Sequence, residues 1–288
     1  MAGLARTRRF RFTSHIPMDR YVVVGNPVAH SLSPRIHARF AAQLGERIEY
    51  ATLEAPLAGF RAAALAFFKS GGQGANVTLP FKVEAFELAE HASDRARAAG
   101  AANFLAKRDG RIEADNTDGA GLVADLRDNL GVRLDGARIL LVGAGGAARG
   151  VVAPLLAQHP RALVIANRDV ERAASLARRF AAAGATSALT LAAAASGEYD
   201  LVVNATSAST RGEPLALPDA VFRAGAFAYD MAYGPAAAGF IARARSRGAH
   251  ASDGLGMLVE QAAESYFLWR GRRPATAAVI AELRAGAA

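Results

Sequence analysis

Cysteine is absent from this 288-residue sequence. Disulfide frameworks, thiolate metal sites, iron–sulfur clusters and cysteine nucleophiles are therefore excluded. Histidine is scarce, with six residues at positions 15, 30, 37, 91, 159 and 250 and no His-x-x-x-His spacing, so no metal site is expected. Lysine is scarcer still: Lys69, Lys82 and Lys107 are the whole complement of a chain whose net charge is +8. No apolar run reaches the roughly 20 residues that span a bilayer. The arginine-rich start has no apolar segment of the kind a secretory signal needs. These absences point to a cytoplasmic protein without a membrane partner.

The basic excess invites a nucleic-acid reading. Half of it, however, sits in the first twenty residues, where Arg6, Arg8, Arg9, Arg11 and Arg20 stand against Asp19 alone. Residues 1–19 read as a solvated, disordered leader. The rest of the excess is spread too thinly to follow a phosphate backbone, and no nucleic-acid partner is expected. A hydrophobic fraction of 52% with 21% charged residues is enough to bury large cores. The length suggests about two domains at roughly 150 residues each.

Short apolar runs alternate with helical patterns from Tyr21 onward. Tyr21 to Gly25 reads as a buried strand, and Ser33-Pro34 opens a helix whose Ile36, Phe40 and Leu44 share one face. Strands near 48–53 and 75–79 follow, with helices at about 57–70 and after Pro80. Asp109-Gly110 marks a hairpin, so one antiparallel pair is expected in an otherwise parallel sheet. A second series contains a helix from Asp118 to about Leu130 and strands at 138–142, 162–166, 201–203 and 226–231. Helices are expected at about 170–183 and 240–247, and two more after Leu255. This alternation predicts an α/β fold with mostly parallel, two-sided sheets.

Gly143-Ala144-Gly145-Gly146-Ala147-Ala148 lies between a predicted strand and a predicted helix, the context in which a G-x-G-x-x-[GA] pattern binds dinucleotides. Gly143 permits the tight turn, Gly145 lets the backbone approach a pyrophosphate, and the helix start offers unpaired N–H groups to it. The next strand ends in Asn167-Arg168, with Arg172 a turn later. Guanidinium groups there suit the 2′-phosphate of NADP. Asp169 either caps the following helix or turns to the ribose and admits NAD.

Polar residues also gather at the carboxyl ends of the predicted strands, where open α/β sheets bind ligands. The blocks Gly25-Asn-Pro-Val-Ala-His-Ser-Leu-Ser33, Asn76-Val-Thr-Leu-Pro-Phe-Lys82, Asp115-Asn-Thr-Asp118, Asn204-Ala-Thr-Ser207, Tyr229-Asp-Met-Ala-Tyr233 and Asp253-Gly-Leu-Gly-Met-Leu-Val-Glu-Gln261 appear in this order along the chain. With Asn103 and the Gly-rich turn, they make the sequence resemble the shikimate dehydrogenase family. The resemblance implies NADP-dependent, reversible reduction of 3-dehydroshikimate to shikimate, in the route to aromatic amino acids. It implies a substrate-binding domain of residues 20–118 plus 254–288, with a Rossmann NADP-binding domain, residues 119–253, inserted between, in a monomer or homodimer.

The resemblance also implies residue roles. Lys82 and Asp118 match the catalytic pair, and the chemistry asks for one: a ketone that accepts hydride needs a proton and nearby positive charge for its oxygen. Which of the two moves the proton is open. Ser31 and Ser33 match hydroxyls that hold the substrate carboxylate. Thr78, Asn103, Gln261 and Asn76 match groups that bond the ring hydroxyls, and Tyr233 matches a tyrosine that reaches the substrate. Met231 and Gly254 match positions beside the nicotinamide, and Asp94 a minor cofactor contact.

The chain departs from the family pattern at Phe104, Asp169, Ser209 and Ala238-Gly239, where threonine, threonine, glycine and Thr-Pro are usual. None removes a catalytic residue, but together they keep open a quinate/shikimate dehydrogenase that uses NAD; a catalytically silent nucleotide sensor of the same fold is a further alternative, against which the intact Lys82 and Asp118 argue.

Overall fold

Alternating side chains build two sheets, each covered on both faces. A computed structural model of the chain describes residues 18–286; the basic leader, apart from Met18 and Asp19, lies outside them. Within β1 (Asp19–Gly25), Val22 and Val24 pack with Phe60, Phe67, Phe68 and Phe81, while Tyr21 packs on Trp269. β1 sits in a sheet with β2 (Ile48–Glu54), β3 (Gly74–Val77), β4 (His91–Ala92), β5 (Phe104–Arg108) and β6 (Arg111–Asp115), in the order β2-β1-β3-β5-β6-β4. The expected hairpin is present. Asp109 and Gly110 both have positive φ, as a two-residue turn requires. β5 pairs antiparallel with β3 as well as with β6, one antiparallel pairing more than the sequence suggested. The helices of this part are α1 (Ser33–Leu44), α2 (Phe60–Lys69), α3 (Lys82–Leu88) and α4 (Asp94–Ala99).

α5 (Asp118–Ala124) runs into a π-turn, Asp125–Asn129, and leads to a second sheet. That sheet holds β7 (Arg138–Val142), β8 (Ala162–Asn167), β9 (Thr186–Thr190), β10 (Leu201–Asn204), β11 (Phe227–Asp230) and β12 (His250–Ser252), all parallel. Their order, β12-β11-β10-β7-β8-β9, is that of a Rossmann fold, with the switch point between β7 and β10. Ile139 and Leu141 belong to the core under α6 (Gly146–Leu156) and α7 (Val170–Arg179). Leu140 and Val142 belong to the opposite core, with Phe240 of α8 (Ala238–Ser246). The chain then returns to the first sheet through α9 (Leu255–Arg270) and α10 (Ala277–Ala285), which bury Val259, Tyr266, Ile280 and Leu283 against Ile36 and Phe40.

Several boundaries moved for local reasons. β1 takes in Asp19 and Arg20, ahead of the expected strand, because both pair with β2. α2 starts at Phe60 and not near Leu57, since Pro56 to Gly59 closes a turn by a 2.8 Å backbone bond. α7 ends at Arg179, where Phe180 to Ala183 fold into successive turns. β4, β9 and β12 have no apolar run to announce them.

His37 lies on the buried face of α1. Its ring stacks on Tyr50 with centroids 4.1 Å apart and neighbours Phe40, Tyr266 and Trp269. Neither ring nitrogen has a hydrogen-bond partner among the described residues, and burial holds the imidazole pKa down to about 3. Below the ordinary value of 6.5, the unfolded chain binds a proton that the folded chain excludes, so stability falls as the pH drops from there towards 3. The slope from this residue approaches about 1.4 kcal/mol per pH unit. Urea midpoints between pH 6.5 and 5 should fall in the wild type and flatten in His37→Phe; parallel slopes would remove His37 as the cause.

Candidate active site

Strand direction brings the site together. β1, β3 and β6 run parallel, and β5 runs against β3 and β6, so the carboxyl ends of the first three and the amino end of β5 share one edge. The loop with Ser31 and Ser33, the turn with Thr78, Asn103 and the turn into Asp118 all leave from that edge. A Cβ on Gly25 would come within 2.4 Å of the Thr78 methyl, which shows how closely the ends of β1 and β3 approach.

Lys82 opens α3, fixed in place by its neighbour Phe81, whose fully buried ring stacks on Phe60 at 5.1 Å. Its Nζ donates to Asp118 Oδ2 at 2.5 Å. The side chains are only 15% and 6% exposed, so little solvent screens the pair. Asp118 is the first residue of α5 and not its N-cap, a position held by Thr117. Asn103 holds the other carboxylate oxygen: its Nδ2 donates to Asp118 Oδ1 at 2.8 Å and to Thr117 Oγ1 at 2.9 Å, and reaches Gln261 Oε1 at 3.2 Å. The Thr117 backbone N–H donates to Asn103 Oδ1 at 2.7 Å. Gln261 turns its own amide nitrogen to the Leu258 carbonyl.

The network continues to the far end of the site. Asn76 Nδ2 donates to Ser265 Oγ at 2.9 Å and to the Asn103 carbonyl, and its Oδ1 accepts from the Tyr50 hydroxyl at 2.8 Å. Burial pushes the Tyr50 phenol pKa well above its ordinary value. Ser33 is buried as the first residue of α1, and its backbone N–H donates to Ser31 Oγ at 3.2 Å. Leu32, not Ser33, is thus the N-cap of the helix, and it brings no side-chain cap. Tyr233, arriving from the end of β11, packs against the core of α1 and α9, as does Leu32, between the two serines.

The second sheet contributes an open cradle. Gly143 has φ +115°, and a side chain there would press on the Ala205 carbonyl. Cβ atoms at Gly145 and Gly146 would meet nothing within 4 Å. Gly145 occupies the N-cap of α6 and brings no side chain, so the first N–H groups of this 11-residue helix face free space. Ala144 is buried and Ala147 half-buried behind the turn. Arg168 and Arg172 are exposed beyond β8. Asn167 Nδ2 donates to the Asp169 carbonyl, while Asp169 Oδ1 accepts from the backbone N–H groups of Glu171 and Arg172. Asp169 is therefore the cap of α7. These features fit an anionic dinucleotide with a 2′-phosphate: donors and guanidinium groups surround the space, and the local acid is engaged by the helix. Met231 and Gly254 meet closely: a Cβ on Gly254 would lie 2.4 Å from the Met231 carbonyl.

Asp94 stands apart: its side chain is 97% exposed and pairs with Arg97. The departures also have local explanations. Ser209 donates to buried Asp230 at 2.6 Å, and Phe104 stacks on Trp269 with centroids 5.1 Å apart. Thr117, Ser265 and Tyr50 belong to the network although the sequence did not single them out. Ser265 had one signal, a hydroxyl on an otherwise apolar face of α9. Among the described residues, no group of three or more acids and histidines is arranged to hold a metal, and no helix is long and apolar enough to cross a membrane.

Family models for the shikimate dehydrogenase substrate binding domain, for shikimate / quinate 5-dehydrogenase and for the shikimate 5′-dehydrogenase C-terminal domain match residues 23–105, 125–212 and 254–284. The shikimate dehydrogenase (NADP(+)) of Hahella chejuensis is 53% identical over 270 residues, covering 93% of this chain and 100% of that protein. Shikimate 5-dehydrogenase of Thermus thermophilus, solved in complex with NADP(H) and shikimate, is 32% identical with a TM-score of 0.82, covering 93% and 99% of the two chains. An Ael1 enzyme from Pseudomonas putida is 46% identical with a TM-score of 0.86, covering 92% and 98%.

Proposed function

The chain belongs to the shikimate dehydrogenase family, and from that premise we propose that it reduces 3-dehydroshikimate reversibly to shikimate with NADPH. The observation that carries this reading is the secluded Lys82–Asp118 pair, set in a hydrogen-bonded network that runs through Asn103 and Asn76 to Tyr50. The first sheet with α9 and α10 forms the substrate-binding unit in this reading, and the second sheet the NADP-binding unit, in a cytoplasmic enzyme.

NADPH, when bound, supplies a hydride to the carbonyl carbon. Lys82 stabilises the negative charge that grows on the oxygen, and a proton reaches that oxygen through the Lys82–Asp118 pair. Asn103 holds Asp118 so that its second oxygen faces Lys82. Ser31 and Ser33 receive the substrate carboxylate, with Tyr233 closing on it from the other unit. Thr78, Asn103 and Gln261 orient the ring hydroxyls. Asn76 commits both ends of its amide to Tyr50, Ser265 and the Asn103 carbonyl, which suits a support for these groups better than a direct contact. Gly143 to Ala147 and the start of α6 receive the pyrophosphate, Asn167, Arg168 and Arg172 the 2′-phosphate side, and Met231 and Gly254 the nicotinamide. Asp94, exposed and paired with Arg97, is left with a marginal part at most.

Steady-state assays of shikimate and quinate with NADP and NAD, followed at the reduced-cofactor absorbance band, test the reading. Shikimate with NADP should give the highest kcat/KM. Absence of NADP-linked shikimate oxidation would refute the assignment, and a preference for quinate with NAD would move the chain to the quinate branch.

A further inference from the structure

Asp125 is fully buried where α5 passes into its π-turn. It lies two helical turns beyond Asp118 and so on the same side of the helix. Its Oδ2 accepts from the Tyr229 hydroxyl at 2.6 Å, and its Oδ1 accepts from Asn129 Nδ2 at 3.0 Å. No cationic side chain bonds it among the described residues. Burial raises its carboxyl above the usual range although both hydrogen bonds oppose this. A carboxylate in such a place is costly unless its bonds serve a purpose, because an apolar pair of the same shape would pack there without the desolvation.

The surroundings make room for it. A Cβ on Gly256 would lie 1.9 Å from Asp125 Oδ1, and one on Gly121 would lie 2.7 Å from the Gln261 backbone nitrogen. α5 and α9 therefore cross at backbone distance, with Asp125 lodged in the crossing. Tyr229 comes from the other sheet: it is in β11, two residues before Met231 and four before Tyr233. The Asp125–Tyr229 bond thus joins the end of α5, which begins at Asp118, to β11, which leads to Met231 and Tyr233, while the close approach at Gly256 adds α9, which carries Gln261.

We propose that Asp125 and Tyr229 are positioning residues for hydride transfer: their hydrogen bond fixes the angle at which the second sheet meets α5 and α9, and with it the distance from the nicotinamide seat to the Lys82–Asp118 pair. The inference rests on the reductase reading above. Both side chains are fully buried within the protein. Hydride transfer is sensitive to such an angle, since a misplacement of about 1 Å costs on the order of 10²-fold in rate.

Tyr229→Phe removes one oxygen and Asp125→Asn exchanges one, so both keep the packing at Gly256. Dissociation constants for NADP and for shikimate, each measured alone, should stay within about twofold, while kcat falls about tenfold or more. The primary isotope effect with shikimate deuterated at the reacting carbon should rise as hydride transfer becomes rate-limiting. Unchanged kcat and isotope effect in Tyr229→Phe would overturn the proposal, as would a loss of kcat matched by the loss of folded protein. A readout free of turnover separates this from the reductase reading. Because the chain has no cysteine, spin labels at Glu87→Cys on α3 and Arg178→Cys on α7, both exposed positions, report the distance between the two units. Tyr229→Phe should broaden that distance distribution, and an unaltered distribution would overturn the proposal even in a chain that reduces no shikimate.

Discussion

Lys82→Ala is expected to lower kcat by about 10³- to 10⁴-fold, with NADP binding unchanged. Loss of one group that stabilises a developing oxyanion costs about 10²- to 10³-fold, and Lys82 also stands on the proton path, whose general acid–base contribution is about 10²- to 10⁴-fold. Asp118, bonded by both Lys82 and Asn103, would remain in place but without its cation. Adding Asp118→Asn to Lys82→Ala should therefore lower kcat little further, because the two act as a unit. Lys82→Arg keeps the charge but offers a planar, permanently protonated group, and it should recover substrate binding more than turnover. Single-turnover rates beside equilibrium binding decide the matter. Turnover near wild type in Lys82→Ala would exclude the residue from the chemistry.

Removing the two guanidinium groups beyond β8 has the second largest expected effect. Arg168→Ala combined with Arg172→Ala should lower kcat/KM for NADP by about 100-fold, near 3 kcal/mol, the scale of hydrogen bonds to a charged group. The value for NAD should move by no more than about threefold, since the phosphate is the partner being lost. Asp169 does not compensate, because its carboxylate caps α7. Equal losses with both cofactors would place the arginines elsewhere than at the 2′-phosphate.

The sequence made the fold legible where one residue type answers one steric demand. Asp109-Gly110 announced its hairpin because positive φ at both positions suits few other residues. Gly143 and its neighbours announced the strand-to-helix turn for the same kind of reason. Lys82 and Asp118 stood out through scarcity and through matching blocks, yet no spacing rule foretold that they would meet, since 36 positions separate them. β4, β9 and β12 escaped because short, half-exposed strands with polar residues carry no periodic signal. The Asp125–Tyr229 bond escaped because its partners lie 104 residues apart. At Phe104, where the family usually has threonine, the structure adds what the sequence did not show, a packing role for the ring against Trp269.

The return of α9 and α10 to the first sheet has a consequence during synthesis. All six strands of that sheet lie between Asp19 and Asp115, yet the tryptophan that covers Tyr21 and Phe104 is residue 269. At translation rates of about 5 to 20 residues per second, the nascent sheet waits on the order of ten seconds with one apolar side covered by α1 alone. The intervening sheet closes on its own strands in that interval, because none of them pairs with the first sheet. Chaperone dependence and aggregation of truncated chains should therefore track the absence of the last 34 residues, from Leu255 on, more than any defect in the nucleotide-binding unit.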